Sequence, residues 1–190
     1  MKYSVIVDGP NFISRLIGFG FDNDKIANDF SLNGLLVEGI RPHLRREFSS
    51  GVTALGLEFI YSKKLPGPKG KKLSTDQWKK FLSRSSTENA VYLKIIDISS
   101  SHEKGVDVAV ATRLIEVAEN CEIICLVSSD NDYIPVLEYL KRKGKYVCTA
   151  GLEKSHTVEL KNLSYLFIDL YGHFQSYISA DIIKEIKAGK

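Results

Sequence analysis

Six short runs rich in β-branched residues alternate with segments of helical spacing, and no other feature of the chain limits its fold as much. The runs are "YSVIV" (3–7), "VTALGLEFIY" (52–61), "VYLKIIDI" (91–98), "EIICLVS" (122–128), "KYVCTA" (145–150) and "YLFIDL" (165–170). Each has the length and composition of a strand. Between several of them apolar residues recur at intervals of three and four: Leu32, Leu35, Leu36, Ile40 and Leu44, then Val110, Ala111, Leu114, Ile115 and Ala118, then Val136, Leu137 and Leu140. Strands separated by helices are joined by crossovers, which make a parallel sheet covered on both faces. The reading is therefore an α/β, three-layer fold with a mainly parallel sheet of five or six strands. At 190 residues the chain fits one domain, 1–190, of a size that buries roughly 70% of its unfolded surface.

The segment 62–84, "SKKLPGPKGKKLSTDQWKKFLSR", breaks this texture with its Lys, Pro and Gly content and the only Trp. It predicts a basic loop over 62–74 and then a short helix through Trp78 and Phe81, capped by Thr75. Trp78 can pack on the core, or with the surrounding lysines stack a nucleobase. "GFGFDN" (18–23) reads as a loop with no helix directly after it, and "SADIIKEIKAGK" as the end of a terminal helix at about 173–188. The basic run "KRKGK" (141–145) suits the end of a helix, where cations meet the dipole. A net charge of +3 permits a polyanionic partner without requiring one. Cys121, Cys125 and Cys148 sit in or beside apolar runs without C-x-x-C spacing, the pattern of reduced core thiols in a cytoplasmic protein. No stretch approaches the ~20 apolar residues of a membrane span.

Acids punctuate the strand ends. Asp8 follows the first run and Asp130 the fourth, so parallel strands would bring both to the carboxyl edge of the sheet, where α/β proteins bind ligands. Asp132 lies two residues on, ahead of Pro135. Asp130 or Asp132 alone would serve as a helix cap. Asp107 lies on the apolar stripe of its helix, three to eleven residues before Val110, Ala111, Leu114, Ile115 and Ala118. A carboxylate there needs a partner, either backbone N–H groups of a first turn or a cation. Acids meeting on one rim repel and raise each other's pKa unless a divalent cation neutralises them. Oxygen ligands without His or Cys clusters point to Mg²⁺ or Mn²⁺, and such a site suits hydrolysis of a phosphodiester.

The segments "VIVDGPNF" (5–12), "KGVDVAVATRLI" (104–115) and "VSSDNDYIPVLEYLKRKGKYV" (127–147) resemble, in order and context, the three signature segments of the NYN domain, a branch of the PIN-like nuclease superfamily. The resemblance implies a Rossmann-like sheet and metal-dependent ribonuclease activity. By position it assigns Asp8, Asp107 and Asp130 to Mg²⁺ or Mn²⁺, and Asp132 to a further acidic site position. It also implies substrate contacts for Asn11, Lys104, Ser128 and Ser129, with either serine able instead to orient a carboxylate. RNA is then the partner, no membrane is involved, and pairing with a second copy of the chain is left open. In one respect the chain departs from the family: Tyr165 stands where many members carry an acid before the last strand, which leaves one or two metals open. The other readings are a catalytically silent RNA-binding or adaptor module, motivated by Tyr165 and the basic loop, and a metal-dependent phosphatase or DNA nuclease at the same site.

Overall fold

The computed structural model describes residues 1–49, 51–62, 73–87, 93–98, 103–152 and 157–174. Most of the basic loop, His102, His156 and the terminal helix beyond Phe174 lie outside these residues. All six predicted strands form: β1 Lys2–Asp8, β2 Thr53–Tyr61, β3 Leu93–Asp97, β4 Ile123–Val127, β5 Tyr146–Gly151 and β6 Leu166–Asp169. They make one sheet in the order β3-β2-β1-β4-β5-β6, and every pairing is parallel. This is the doubly wound Rossmann order, in which the strand sequence reverses between β1 and β4.

Helices cover both faces. On one lie α1 (Gly9–Gly18), α2 (Asn23–Asp29), a helical stretch running from α3 (Leu32–Gly34) through a π-helical turn (Leu35–Ile40) into α4 (Arg41–Glu47), then α5 (Thr75–Thr87) and α9 (Tyr171–Phe174). On the other lie α6 (Glu103–Ala118), α7 (Ile134–Arg142) and α8 (Val158–Leu163). Alternate residues of β1 feed the two cores: Tyr3, Val5 and Val7 face the first, Ile6 the second. The first core is knit by rings, with Phe12, Phe30 and Phe174 at centroid separations of 5.3 to 6.0 Å. Each such buried ring contributes about 2 to 3 kcal/mol of apolar burial. Trp78 belongs to this core as well, stacked on Tyr61 at 5.8 Å.

Several local expectations change. The cap of α5 is Ser74 rather than Thr75: Gln77 N–H donates to Ser74 Oγ and Ser74 N–H donates to Gln77 Oε1, a reciprocal capping box. "GFGFDN" does lead into a helix, α2, whose cap is Asp22, accepting Lys25 N–H at 2.8 Å. The buried stripe of α6 is Val106, Val110, Leu114 and Ala118, while Ile115 is 41% exposed. Lys141 and Arg142 do close α7, and Gly144 takes a φ of +76° to turn the chain into β5. The three cysteines are buried free thiols, and burial pushes Cys148 up to about 12, far from reactivity at neutral pH. Among the described residues no helix is long and apolar enough to cross a membrane.

Candidate functional site

The reversal of strand order opens a crevice at the carboxyl ends of β1 and β4. Val7 is paired with Val127, so Asp8 and Ser128 leave the sheet side by side. Asp8 caps α1, which swings to one face, and Asp130 caps the 3-10 turn Asn131–Tyr133 that leads α7 to the other. Both acids thus stand at helix starts, where negative charge is favoured.

Gly9 makes the tight departure from β1 feasible. A Cβ there would lie 2.6 Å from two ring carbons of Phe59 and 2.8 Å from the carbonyl oxygen of Ile60. One of these neighbours is backbone and cannot move aside cheaply. Gly9→Ala is therefore expected to cost on the order of 1 to 3 kcal/mol, lowering the melting temperature by several degrees.

Asp8 is 2% exposed and takes three donors. Its Oδ1 accepts Asn11 N–H at 3.2 Å, and its Oδ2 accepts the hydroxyls of Tyr133 at 2.9 Å and Ser128 at 3.2 Å. Burial outweighs these donors, and with the nearby Asp107 charge it pushes the Asp8 carboxyl up to about 7. Ser128 also accepts Asp130 N–H at 3.2 Å, so one serine hydroxyl ties the two strand-end acids together. This contact of Ser128 with a carboxylate is the geometry of the orienting one of the two roles expected for the serines. Asn11 Oδ1 receives both Ser129 N–H and Ser129 Oγ at 3.2 and 3.1 Å, which laces the β1–α1 turn to the loop after β4.

Asp107 arrives from a third element. Arg113 clamps α6 to β2 by a two-pronged contact with Glu58, at 2.7 and 2.5 Å, a geometry that fixes the helix against the sheet. Asp107 sits half-buried in the second turn of α6, beyond the unpaired N–H groups of a helix start. Its Oδ1 lies 3.3 Å from the Tyr133 hydroxyl. Burial above all, and then the charges of Asp8, Asp107 and Asp130, pushes the Tyr133 phenol far above its ordinary value. Asp8 and Asp107 thus share the Tyr133 hydroxyl, and Asp130 stands on the same rim, tied to Asp8 through Ser128.

The capping role falls on Asp130, whose Oδ1 accepts Asp132 N–H at 2.9 Å; Asp132 itself is exposed on the 3-10 turn. Lys104 lies in the first turn of α6, and its side chain is outside the described residues. Tyr165 lies at the amino edge of the sheet, 51% exposed and packed on Phe48 and Tyr146. A side chain there stands at the opposite end of the parallel strands from Asp8.

Three residues escaped the reading of the sequence. Gly9 and Tyr133 lie inside the signature segments, but their roles depend on contacts across the sheet. Arg15 lies one turn beyond Asn11 and lines a small crevice with Asn11, Ser128, Ser129 and Gly151. Its i, i+4 spacing from Asn11 was the available signal.

The donor set suits a hard divalent cation in its chemistry. All the ligands offered are carboxylate oxygens, and among the described residues no Lys, Arg or His forms an ion pair with Asp8 or Asp130. In this arrangement Asp8 and Asp107 flank the Tyr133 hydroxyl, and among the described residues no three His, Cys, Asp or Glu are gathered into a metal shell.

No curated protein matches the chain. Among solved structures, a protein of unknown function from Vibrio parahaemolyticus shares the fold with a TM-score of 0.54 at 16% identity, over 89% of this chain and 92% of that one. A model of the NYN domain matches residues 2–171. That match spans all six strands and every acid of the crevice, and the chain belongs to the NYN domain family, a branch of the PIN-like nuclease superfamily.

Proposed function

We propose that the chain is a metal-dependent endoribonuclease that hydrolyses RNA at the crevice between β1 and β4. The observation that carries this reading is the meeting of Asp8 and Asp107, from separate elements, on one buried hydroxyl, with Asp130 on the same rim and tied to Asp8 through the Ser128 hydroxyl. Keeping charges so close costs stability, and a fold keeps such a cost where function needs it. Asp8, Asp107 and Asp130 would hold Mg²⁺ or Mn²⁺, which supplies an activated water and neutralises charge on the scissile phosphate. Ser128 orients Asp8, and the Asn11–Ser129 tie holds the two strand-end loops at a fixed spacing. Asp132, exposed beside Asp130, adds negative charge at the rim, and Lys104 would pair with the phosphate. The silent-module alternative loses one of its two motives, because Tyr165 is remote from the site.

The test is cleavage of single-stranded and structured RNA with Mg²⁺ or Mn²⁺, alongside single- and double-stranded DNA and a phosphate monoester. Cleavage of RNA alone supports the proposal, whereas turnover confined to DNA or the monoester would replace it. Arg15 gives a finer check. Among the described residues its guanidinium has no partner, and it stands on the face of α1 that carries Asn11, about 6 Å along. That is near the spacing of successive phosphates, so Arg15 is assigned to the phosphate next to the scissile one. Arg15→Ala is expected to raise KM for RNA about three- to tenfold with kcat unchanged, and to reduce the salt slope of binding by about 0.7.

A further inference from the structure

Tyr133 carries a polar group that its packing does not require. The ring is 1% exposed between α6, α7 and the sheet, and a phenylalanine would fill the same volume. A buried hydroxyl is unfavourable unless it is hydrogen-bonded, so its place needs a polar reason. The reason visible here is a pair of carboxylates from different elements, Asp8 Oδ2 at 2.9 Å and Asp107 Oδ1 at 3.3 Å. One hydroxyl has a single proton to donate, and the shorter distance assigns it to Asp8. Asp107 Oδ1, at 3.3 Å, lies within reach of the same proton as the weaker arm of a three-centre hydrogen bond, so one atom of a rigid, fully packed ring is shared by both carboxylates.

We propose that Tyr133 is a positioning residue whose hydroxyl fixes the Asp8 and Asp107 carboxylates in the mutual orientation from which both can ligate one divalent cation. This rests on the metal-site reading above and adds to it a residue that touches neither cation nor RNA. Outer-shell groups that orient ligands typically contribute 10- to 100-fold in metal affinity. Losing the hydroxyl should therefore weaken cation binding while leaving RNA contacts intact.

The experiment uses the full chain and its Tyr133→Phe variant, with Mn²⁺ binding followed by the paramagnetic resonance signal of the free ion and melting curves taken with and without Mn²⁺. Expected is a metal-free melting temperature within a few degrees of wild type and Mn²⁺ binding at least about tenfold weaker. Cleavage should recover at high Mn²⁺ with KM for RNA unchanged. Binding by Tyr133→Phe as tight as wild type, or tighter, overturns the positioning role and leaves the metal site standing. A metal-free melting temperature lower by more than about 10 °C, roughly 3 kcal/mol for a chain this long, makes the hydroxyl a support of the fold and overturns the role too. Failure of the wild type to bind Mn²⁺ overturns this inference together with the metal reading beneath it.

Discussion

Asp8→Asn is expected to abolish RNA cleavage and, in the same protein without metal, to raise the melting temperature. The two effects share one cause. Asp8 is fully buried, and its carboxyl is pushed from 3.8 to about 7. The folded state therefore keeps this proton to higher pH than the unfolded chain does. Stability contributed by the protonated form is complete below pH 3.8 and is lost as pH rises to about 7. A three-unit difference corresponds to as much as about 4 kcal/mol. Asn supplies a neutral side chain of the same shape, so the variant should lose the downward slope of stability between pH 4 and 7. At neutral pH it should melt on the order of 5 °C higher. Cleavage should drop by at least about 100-fold, the scale of losing several kcal/mol of charge stabilisation at a metal. Thermal melts across pH 4 to 8, paired with cleavage assays, read both effects. An unchanged pH slope with full activity would show that Asp8 is neither strained nor used.

The second large effect separates charge from capping at Asp130. This side chain caps the 3-10 turn by accepting Asp132 N–H, and Asn caps about as well as Asp. Asp130→Asn is accordingly expected to melt within about 1 to 2 °C of wild type while losing at least about 100-fold in cleavage. Asp130→Ala removes the cap too and should cost about a further 1 kcal/mol, with a visible fall in melting temperature. Equal activity of Asp130→Asn and wild type would reduce Asp130 to a cap and leave the crevice without its third carboxylate.

The strands were readable because each central one is buried on both faces, and burial on both faces leaves uninterrupted apolar runs such as "IICLV". The parallel order then follows from the intervening helices, and the position of Asp8 and Asp130 on one rim follows from the parallel order. What the sequence hid were features decided by contacts between distant residues. α2 is seven residues long, too short to show a period, and its only local mark is the Asp22 cap. The stripe of α6 was misplaced by a fraction of a turn, because Ile115 and Val106 look alike until the sheet selects between them. Nothing local marks Gly9, because what requires a glycine there is Phe59 and Ile60 on β2, which leave no room for a Cβ. The importance given to Tyr165 rested on its place before the last strand, whereas the direction of that strand puts it at the far edge. Only the meeting of α6 with the turn after β4 reveals what the Tyr133 hydroxyl touches.

Whether these acids hydrolyse RNA with a divalent cation is decided by cleavage of RNA with Mn²⁺ or Mg²⁺, measured with and without chelator. Expected is cleavage by the wild type that chelator abolishes, that excess metal restores, and that Asp130→Asn lacks. Cleavage that persists both in chelator and in Asp130→Asn would contradict it.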